Sequence, residues 1–303
     1  MKGMNVVKDY DIENIKSMGE FVDQLKCAGF QATHTGIGRE IIKKMMDKDV
    51  TVFISFTANM VASGLRGIFA EMCKKRFVDV IITTGGAVEH DFIRGFDPYY
   101  IGSFDMDDRE LHKRGINRLG NIVVPNERYI LLEEKIQKLL TKLYEKKRAW
   151  SPSEFILELG KISKESSFIY WAARNNIPIF CPGITDSAIG LQFYFFKQDH
   201  ADFCIDVTGD MKTLADIVFN ANKTGGIILG GGIAKHHTIG VNIVRGGLDY
   251  AVYVTTAQVW DGSLSGAKAK EAVSWGKINE EARYVTIYGD ATIVFPLLIY
   301  GLI

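Results

Sequence analysis

Late in the sequence stands a lysine with the surroundings of a nucleophile. Lys277 lies in Glu271-Ala-Val-Ser274-Trp275-Gly276-Lys277-Ile278, between Trp-Gly and Ile. Apolar neighbours desolvate an ammonium and favour its neutral form. A neutral lysine amine can attack a carbonyl carbon and form an imine. The competing reading is a surface lysine whose stem packs on the Trp275 ring while its charge stays in water. Three carboxylates stand out beside it: Asp206, Asp210 and Glu271. Asp261 lies in Trp260-Asp261-Gly262-Ser263-Leu264-Ser265-Gly266. A carboxylate at a strand end can accept ribose hydroxyls or pair with ligand amines. Each of these four also suits a helix cap or a solvated turn. His236-His237 offers an acid/base that titrates near neutrality. Adjacent helical residues face different ways, and no third ligand has metal-site spacing, so no metal is expected.

Such groups must be gathered from distant parts of the chain. Short runs rich in Val, Ile and Phe read as strands: 50–56, 78–83, 121–124, 177–180, 203–207, 226–229, 250–254 and 284–288. Runs without strict alternation fit strands buried on both faces. Helical periodicity fills 62–75, 131–148, 152–162, 168–175, 211–222 and 241–246. This alternation implies parallel strands with right-handed crossovers. The expectation is an α/β fold: one domain over residues 1–303, with a single doubly wound, mainly parallel sheet and helices on both faces. Ser151-Pro152-Ser153-Glu154 reads as a capping box with proline at the first helical position. Lys146-Lys147-Arg148 before it reads as a solvated helix end.

Polar and glycine residues collect after the strand candidates. They are Ser55, Thr57, Asn59 and Ser63; Thr83-Thr84-Gly85-Gly86 with Glu89; Thr185-Asp186; Asp206 and Asp210; Gly230-Gly231-Gly232; Thr255-Thr256; and Asp290-Ala291. In an open parallel sheet the carboxyl ends of the strands form the ligand crevice, so these loops should converge. Glycine lets backbone approach a pyrophosphate, and a following helix N-terminus supplies N–H donors. The glycines match neither GxGxxG nor the P-loop.

With 36 basic and 36 acidic side chains the chain has zero formal charge. That argues against nucleic-acid or membrane-surface binding. Cys27, Cys73, Cys181 and Cys204 are far apart in apolar surroundings and read as reduced core residues of a cytosolic protein. Met1–Asp11 has no apolar run of the kind a signal peptide needs. Ala291–Ile303 is too short to span a bilayer and reads as a buried helix.

Taken together, these residues resemble the deoxyhypusine synthase family. The resemblance runs from Gly29-Phe30-Gln31-Ala32-Thr33 through Thr83-Thr84-Gly85-Gly86, Gly115-Ile116-Asn117-Arg118, Val124-Pro125-Asn126-Glu127, Gly230-Gly231-Gly232 with Lys235-His236-His237, and Asp249-Tyr250-Ala251-Val252-Tyr253 to Glu271-Ala272-Val273-Ser274-Trp275-Gly276-Lys277. It implies an NAD-dependent enzyme that moves the aminobutyl group of spermidine onto one lysine of the translation initiation factor 5A precursor. It also implies a homotetramer in the cytoplasm. Lys277 matches the family's imine-forming lysine and His236 its active-site histidine. Asp210, Glu271 and Trp275 fall where the polyamine is held, with Asp261 expected beside them. Asn59, Thr83, Gly85, Asp206, Gly231, Ser265, Asp290 and Ala291 fall where the dinucleotide is held. Ser63, Thr84, Glu89, Gly232 and Thr256 are expected along the same crevice. Trp275 is expected to keep water from the imine and to lower the charge on Lys277.

Two departures bear on the substrate. His90 and Leu264 stand where acids are expected, and fewer carboxylates mean weaker polyamine contact. They motivate an alternative in which a free diamine, not a protein lysine, accepts the aminobutyl group, as in homospermidine synthesis. A non-catalytic NAD-binding subunit is the other reading, and an intact Lys277, His236 and Glu271 argue against it.

Overall fold

In the computed structural model, which describes residues 5–303, the strands are β1 (Val50–Ser55), β2 (Val80–Ile82), β3 (Tyr100–Ile101), β4 (Ile116–Leu119), β5 (Ile122–Pro125), β6 (Ala149–Trp150), β7 (Ile179–Phe180), β8 (Cys204–Ile205), β9 (Lys223–Leu229), β10 (Leu248–Thr255) and β11 (Ile278–Tyr288). Six form a sheet in the order β11-β10-β9-β1-β2-β7. Its pairs β1/β9, β9/β10, β10/β11 and β2/β7 are all parallel. That is the expected α/β sheet. The reading of Met1–Asp11 falls in part on residues 1–4, outside the described residues.

The chain forms two compact units. The first comprises Met1–Phe56, Phe77–Val80 and Leu214–Ile303. Here β1, β9 and β10 are buried almost throughout, as their uninterrupted apolar runs require. The helix Phe30–Met45 packs on β10 and β11 and buries Ile41, Ile42 and Met45. It comes so close that a Cβ on Gly38 would sit 2.8 Å from Ile287 Cδ1. The helix Gly232–Val241 follows β9 and turns Ala234, Lys235, Thr238 and Ile239 inward. The expected helix 241–246 is a 3₁₀ turn, Asn242–Arg245, that continues it. Ala291–Ile299 is helical and buries Phe295 and Leu298, but only along one face, because Ile293 is exposed.

The second unit comprises Thr57–Arg76 and Ile81–Thr213. The helix expected over 62–75 is two, Ala58–Ala62 and Leu65–Lys74. Ser63 breaks it: its backbone is extended, and its hydroxyl donates to Met60 O and accepts from Leu65 N–H. Such local bonds compete with helix. The capping box at Ser151 is present, with Glu154 and Ser151 bonding reciprocally. The basic triplet is paired on the surface with Glu158, Glu154 and Asp202.

Two expected strands leave the main sheet. The run 121–124 becomes β5, antiparallel to β3 and β4. Only Gly120 and Asn121 separate β4 from β5, and Gly120 has φ +62°. A connection that short can only make a hairpin. The run 203–207 shrinks to β8, paired with β6 alone and partly exposed. With it Cys204 is exposed, contrary to the core reading; Cys27 is half-buried, and Cys73 and Cys181 are buried.

Candidate active site

Lys277 occupies the turn between the short helix Ala269–Val273 and β11. Gly276, at φ +66°, makes that turn possible. The Lys277 backbone is tied on both sides: its N–H donates to Ala272 O, and its carbonyl accepts from Leu248 N–H. Ile278 pairs with Leu248, the first residue of β10. Lys277 therefore sits at the amino end of its strand, not among the carboxyl-end loops. Its side chain enters a cleft of ≈ 280 Å³. The cleft is lined by Lys235, His236 and Ile239 of Gly232–Val241, Tyr253 of β10, residues of the 262–268 segment, and Glu271, Ala272 and Trp275. A core of Ile228, Ile239, Leu248, Ala251, Tyr253, Ala269, Ala272 and Ile278 underlies it.

In the cleft, Lys277 Nζ lies 3.3 Å from His236 Nε2. An ammonium there donates to an unprotonated Nε2, which leaves the ring proton on Nδ1. Trp275 departs from expectation. It is 66% exposed, and Lys277 Nζ stands over its ring, 5.2 Å from the centroid. A ring face attracts an ammonium. The ring is a platform beside a half-buried amine rather than a lid over it. Glu271 is the one carboxylate in the cleft lining, against Lys235, Lys268 and Lys277. Leu264, where an acid was expected, presents an apolar side. Asp261 is outside the lining and exposed; its carboxylate accepts from Ser263 N–H at 2.7 Å and is held below the ordinary range by Ser263.

Two residues of the cleft escaped sequence reasoning as site residues. Lys235 is only 2% exposed. Burial depresses its amine to about 8, against the attraction of Glu271. Its position was legible: Thr238, Ile239 and Asn242, at i+3, i+4 and i+7, are all buried, so Lys235 shares the inward face. The Tyr253 hydroxyl is buried and without a partner.

The glycine turn after β9 lies in the same unit. Gly230 and Gly232 have φ of +81° and +65°. A Cβ on Gly231 would meet Ser265 Oγ at 2.3 Å, so Gly231 is small to admit Ser265. Around Gly232 nothing lies within 4 Å of that position. Gly232 N–H donates to Ser265 Oγ at 3.2 Å. The Thr255 hydroxyl donates to Ser265 O at 3.3 Å, and Gly289 N–H to Thr255 O. Thr256 is exposed beside them. Asp290 caps the helix Ala291–Ile299 through Thr292, with Ala291 buried. The strand-end residues of the first unit thus do gather.

In the second unit, Thr83 is buried just after β2, and Thr84 stands at the N-cap position of the helix Gly85–Phe96 without a side-chain capping bond, its hydroxyl buried and unpartnered. Gly85 packs on Ser187, 2.5 Å from a would-be Cβ. Glu89 Oε2 accepts Ala188 N–H at 2.6 Å and Ile189 N–H at 3.3 Å; burial raises this carboxyl to about 7 against those bonds. His90, buried beside Tyr99, is pushed down to about 4 by burial and by Arg94. Asn59 is exposed and accepts from the Thr57 hydroxyl; Ser63 is half-buried. Asp206 is exposed and held low by Thr208. Asp210 is buried, with the Ser153 hydroxyl at 2.6 Å and the Ser153 N–H at 3.1 Å. In the first unit, open backbone at Gly232 would suit a phosphate; in the second, the Thr84 hydroxyl is a buried polar group without a partner. Gly85 and Gly231 serve intrachain packing instead.

The family model for deoxyhypusine synthase matches residues 20–302. The chain belongs to the deoxyhypusine synthase family. A "Probable deoxyhypusine synthase" of Thermoplasma acidophilum is 51% identical, over 97% of this chain and 96% of that protein. One from Pyrococcus furiosus is 48% identical, over 95% and 91%. The crystal structure of a putative deoxyhypusine synthase from Entamoeba histolytica superposes with TM-score 0.72 at 26% identity, over 97% of this chain and 95% of that one. Among the described residues no helix is long and apolar enough to cross a membrane.

Proposed function

We propose that this protein transfers the 4-aminobutyl group of spermidine to a specific lysine of the translation initiation factor 5A precursor through an imine on Lys277. The observation that carries the reading is the Lys277 Nζ–His236 Nε2 approach of 3.3 Å in a cleft that also holds Glu271. In this reading Glu271 pairs one ammonium of the polyamine. Trp275 flanks the four-carbon chain, and Asp210 and Asp261 hold the remaining positive charge. The Lys277 amine attacks the oxidised carbon of the polyamine. The bond from that carbon to the leaving nitrogen breaks, its electron pair goes to nitrogen, and propane-1,3-diamine departs. His236 takes the proton Lys277 releases and can hand one to the departing amine. The target lysine then displaces Lys277 in the same way.

NAD, when bound, would supply hydride uptake from the carbon next to a polyamine nitrogen and return of that hydride to the same carbon once it is joined to the target lysine, leaving a saturated aminobutyl chain. The residues that would hold it are Asn59, Ser63, Thr83, Thr84, Glu89, Asp206, Gly232, Thr256, Ser265, Asp290 and Ala291, with Gly85 and Gly231 shaping the backbone. Open space at Gly232 and the orphan Thr84 hydroxyl support this assignment. A homotetramer acting in the cytoplasm belongs to the same reading.

The test is chemical trapping. Protein, spermidine and NAD are mixed, reduced with borohydride, and the adduct is mapped. A four-carbon amine on Lys277 is expected; an adduct on another lysine would overturn the assignment. The apolar Leu264 in the cleft favours a second reading, with a free diamine as acceptor. Putrescine supplied without any protein acceptor separates the two: abundant homospermidine would favour the second.

A further inference from the structure

Lys235 is a lysine kept almost wholly from water, and its contacts are specific. Its Nζ donates to Leu264 O and to Ala267 O, both at 2.7 Å, and lies 4.5 Å from the centroid of the Tyr253 ring. At the start of the same helix, Gly232 N–H donates to Ser265 Oγ. The opening of the helix Gly232–Val241 therefore holds the segment 264–267 at three points. Between them Ser265 is pressed on Gly231, where a Cβ would come within 2.3 Å of its hydroxyl. A methionine or leucine in place of Lys235 could fill the space but would take the charged donor from both carbonyls, leaving Leu264 O only the Ala267 N–H at 3.3 Å; losing such bonds in a buried place is costly.

We infer that Lys235 is a positioning residue: it clamps the Leu264–Ala267 turn, seats Ser265 on the Gly231–Gly232 backbone, and so sets how well that turn holds a dinucleotide. The inference rests on the dinucleotide reading of the Gly232 turn given above. Lys235 neither attacks nor accepts the aminobutyl group; both donated bonds go to main-chain carbonyls, and the amine at work in the cleft is Lys277.

The experiment compares two readouts, neither of them turnover. One is NADH affinity, from the quenching of tryptophan fluorescence. The other is borohydride trapping of butyraldehyde on Lys277, which needs no dinucleotide. K235M should weaken NADH binding about tenfold or more, the scale of losing charged hydrogen bonds. Trapping on Lys277 should stay within about twofold, because no bond to Lys277 is removed. Ethylammonium added to K235A should restore NADH affinity. S265A should weaken NADH binding too, and K235M should then cost little more, since coupled residues are not additive. Unchanged NADH affinity in K235M overturns the inference. Equal loss of NADH binding and trapping does so as well, since it would mean a general structural role. In the unaltered protein NADH must slow hydrogen exchange of the amides of residues 263–267; if exchange there is unmoved, the clamp is refuted even where no Lys235 variant folds. Failure of the unaltered protein to bind NADH at all would instead remove the dinucleotide reading, and the inference with it.

Discussion

Two regions of this protein bury charge, and they do so to different ends. In the second unit, Asp91 is fully buried and saturated. Its Oδ1 accepts from Arg66 Nε at 2.7 Å and its Oδ2 from Ile169 N–H at 3.0 Å, while Arg66 also reaches Ser166 and Ser167. Burial raises the carboxyl to about 6 even with Arg66 opposing. Glu89 nearby in sequence is engaged by two backbone N–H groups. In the first unit the buried ammonium of Lys235 is likewise saturated, but it lies beside groups that are not. Lys277 is half-buried next to His236, and the Tyr253 hydroxyl has no partner. Saturated buried charge specifies an arrangement of elements. Accessible charge placed beside a saturated anchor can exchange partners, and that is the condition for chemistry.

The comparison breaks most sharply at Lys277. K277R should abolish aminobutyl transfer, because arginine stays charged and cannot form the imine. NADH affinity should hold, and measurable propane-1,3-diamine release by K277R would contradict the division of labour. D91N should act on the other region: leaving Arg66 unpaired in the interior costs about 3–5 kcal/mol of stability. Chemical denaturation checks it, and a loss under about 1 kcal/mol would mean the pair is not the anchor described. E271Q should weaken polyamine binding about tenfold, the scale of one charge-assisted hydrogen bond. Calorimetric titration with spermidine and with NADH separates the two sites; equal loss of both would give Glu271 another role.

A pH dependence is expected at Glu89. Its folded carboxyl is raised from its ordinary value near 4.5 to about 7. The folded state then holds a proton that the unfolded chain releases. The contribution is fully present below about 4.5 and is lost as pH rises through about 7. E89Q, which keeps an acceptor for Ala188 and Ile189, should therefore gain stability relative to the parent at pH 8 compared with pH 5. Parallel melting curves at the two pH values read this directly. No change in the difference between them would place Glu89 among the ordinary carboxylates.

Much of this was legible in the chain alone, for local reasons. Apolar runs such as 50–56 and 250–254 must be buried on both faces, and β1 and β10 are. Ser151-Pro152-Ser153-Glu154 closes its own hydrogen bonds within four residues, so the cap appears wherever the segment goes. The lysine of Trp275-Gly276-Lys277, with His236 and Glu271, was identifiable by residue type, and the three line one cleft. What failed was whatever depended on a distant neighbour. The run 121–124 has strand character in either sheet, and only the two-residue link to β4 decides that it is antiparallel. Trp275 was expected to dry Lys277, but exposure depends on what packs against a side chain, and here little does.

The sequence by itself determined the strands of the main sheet, where the helix after Ser151 must begin and which amine could act as nucleophile, because these follow from hydrophobic period, local hydrogen bonds and side-chain chemistry. Only the tertiary structure decided that Lys277 stands at the amino end of β11, that Gly231 is small for the sake of Ser265, and that Lys235 spends its charge on two carbonyls about 30 residues away. Those outcomes rest on which atoms meet across long stretches of chain, and contact of that kind is written in no single stretch of residues.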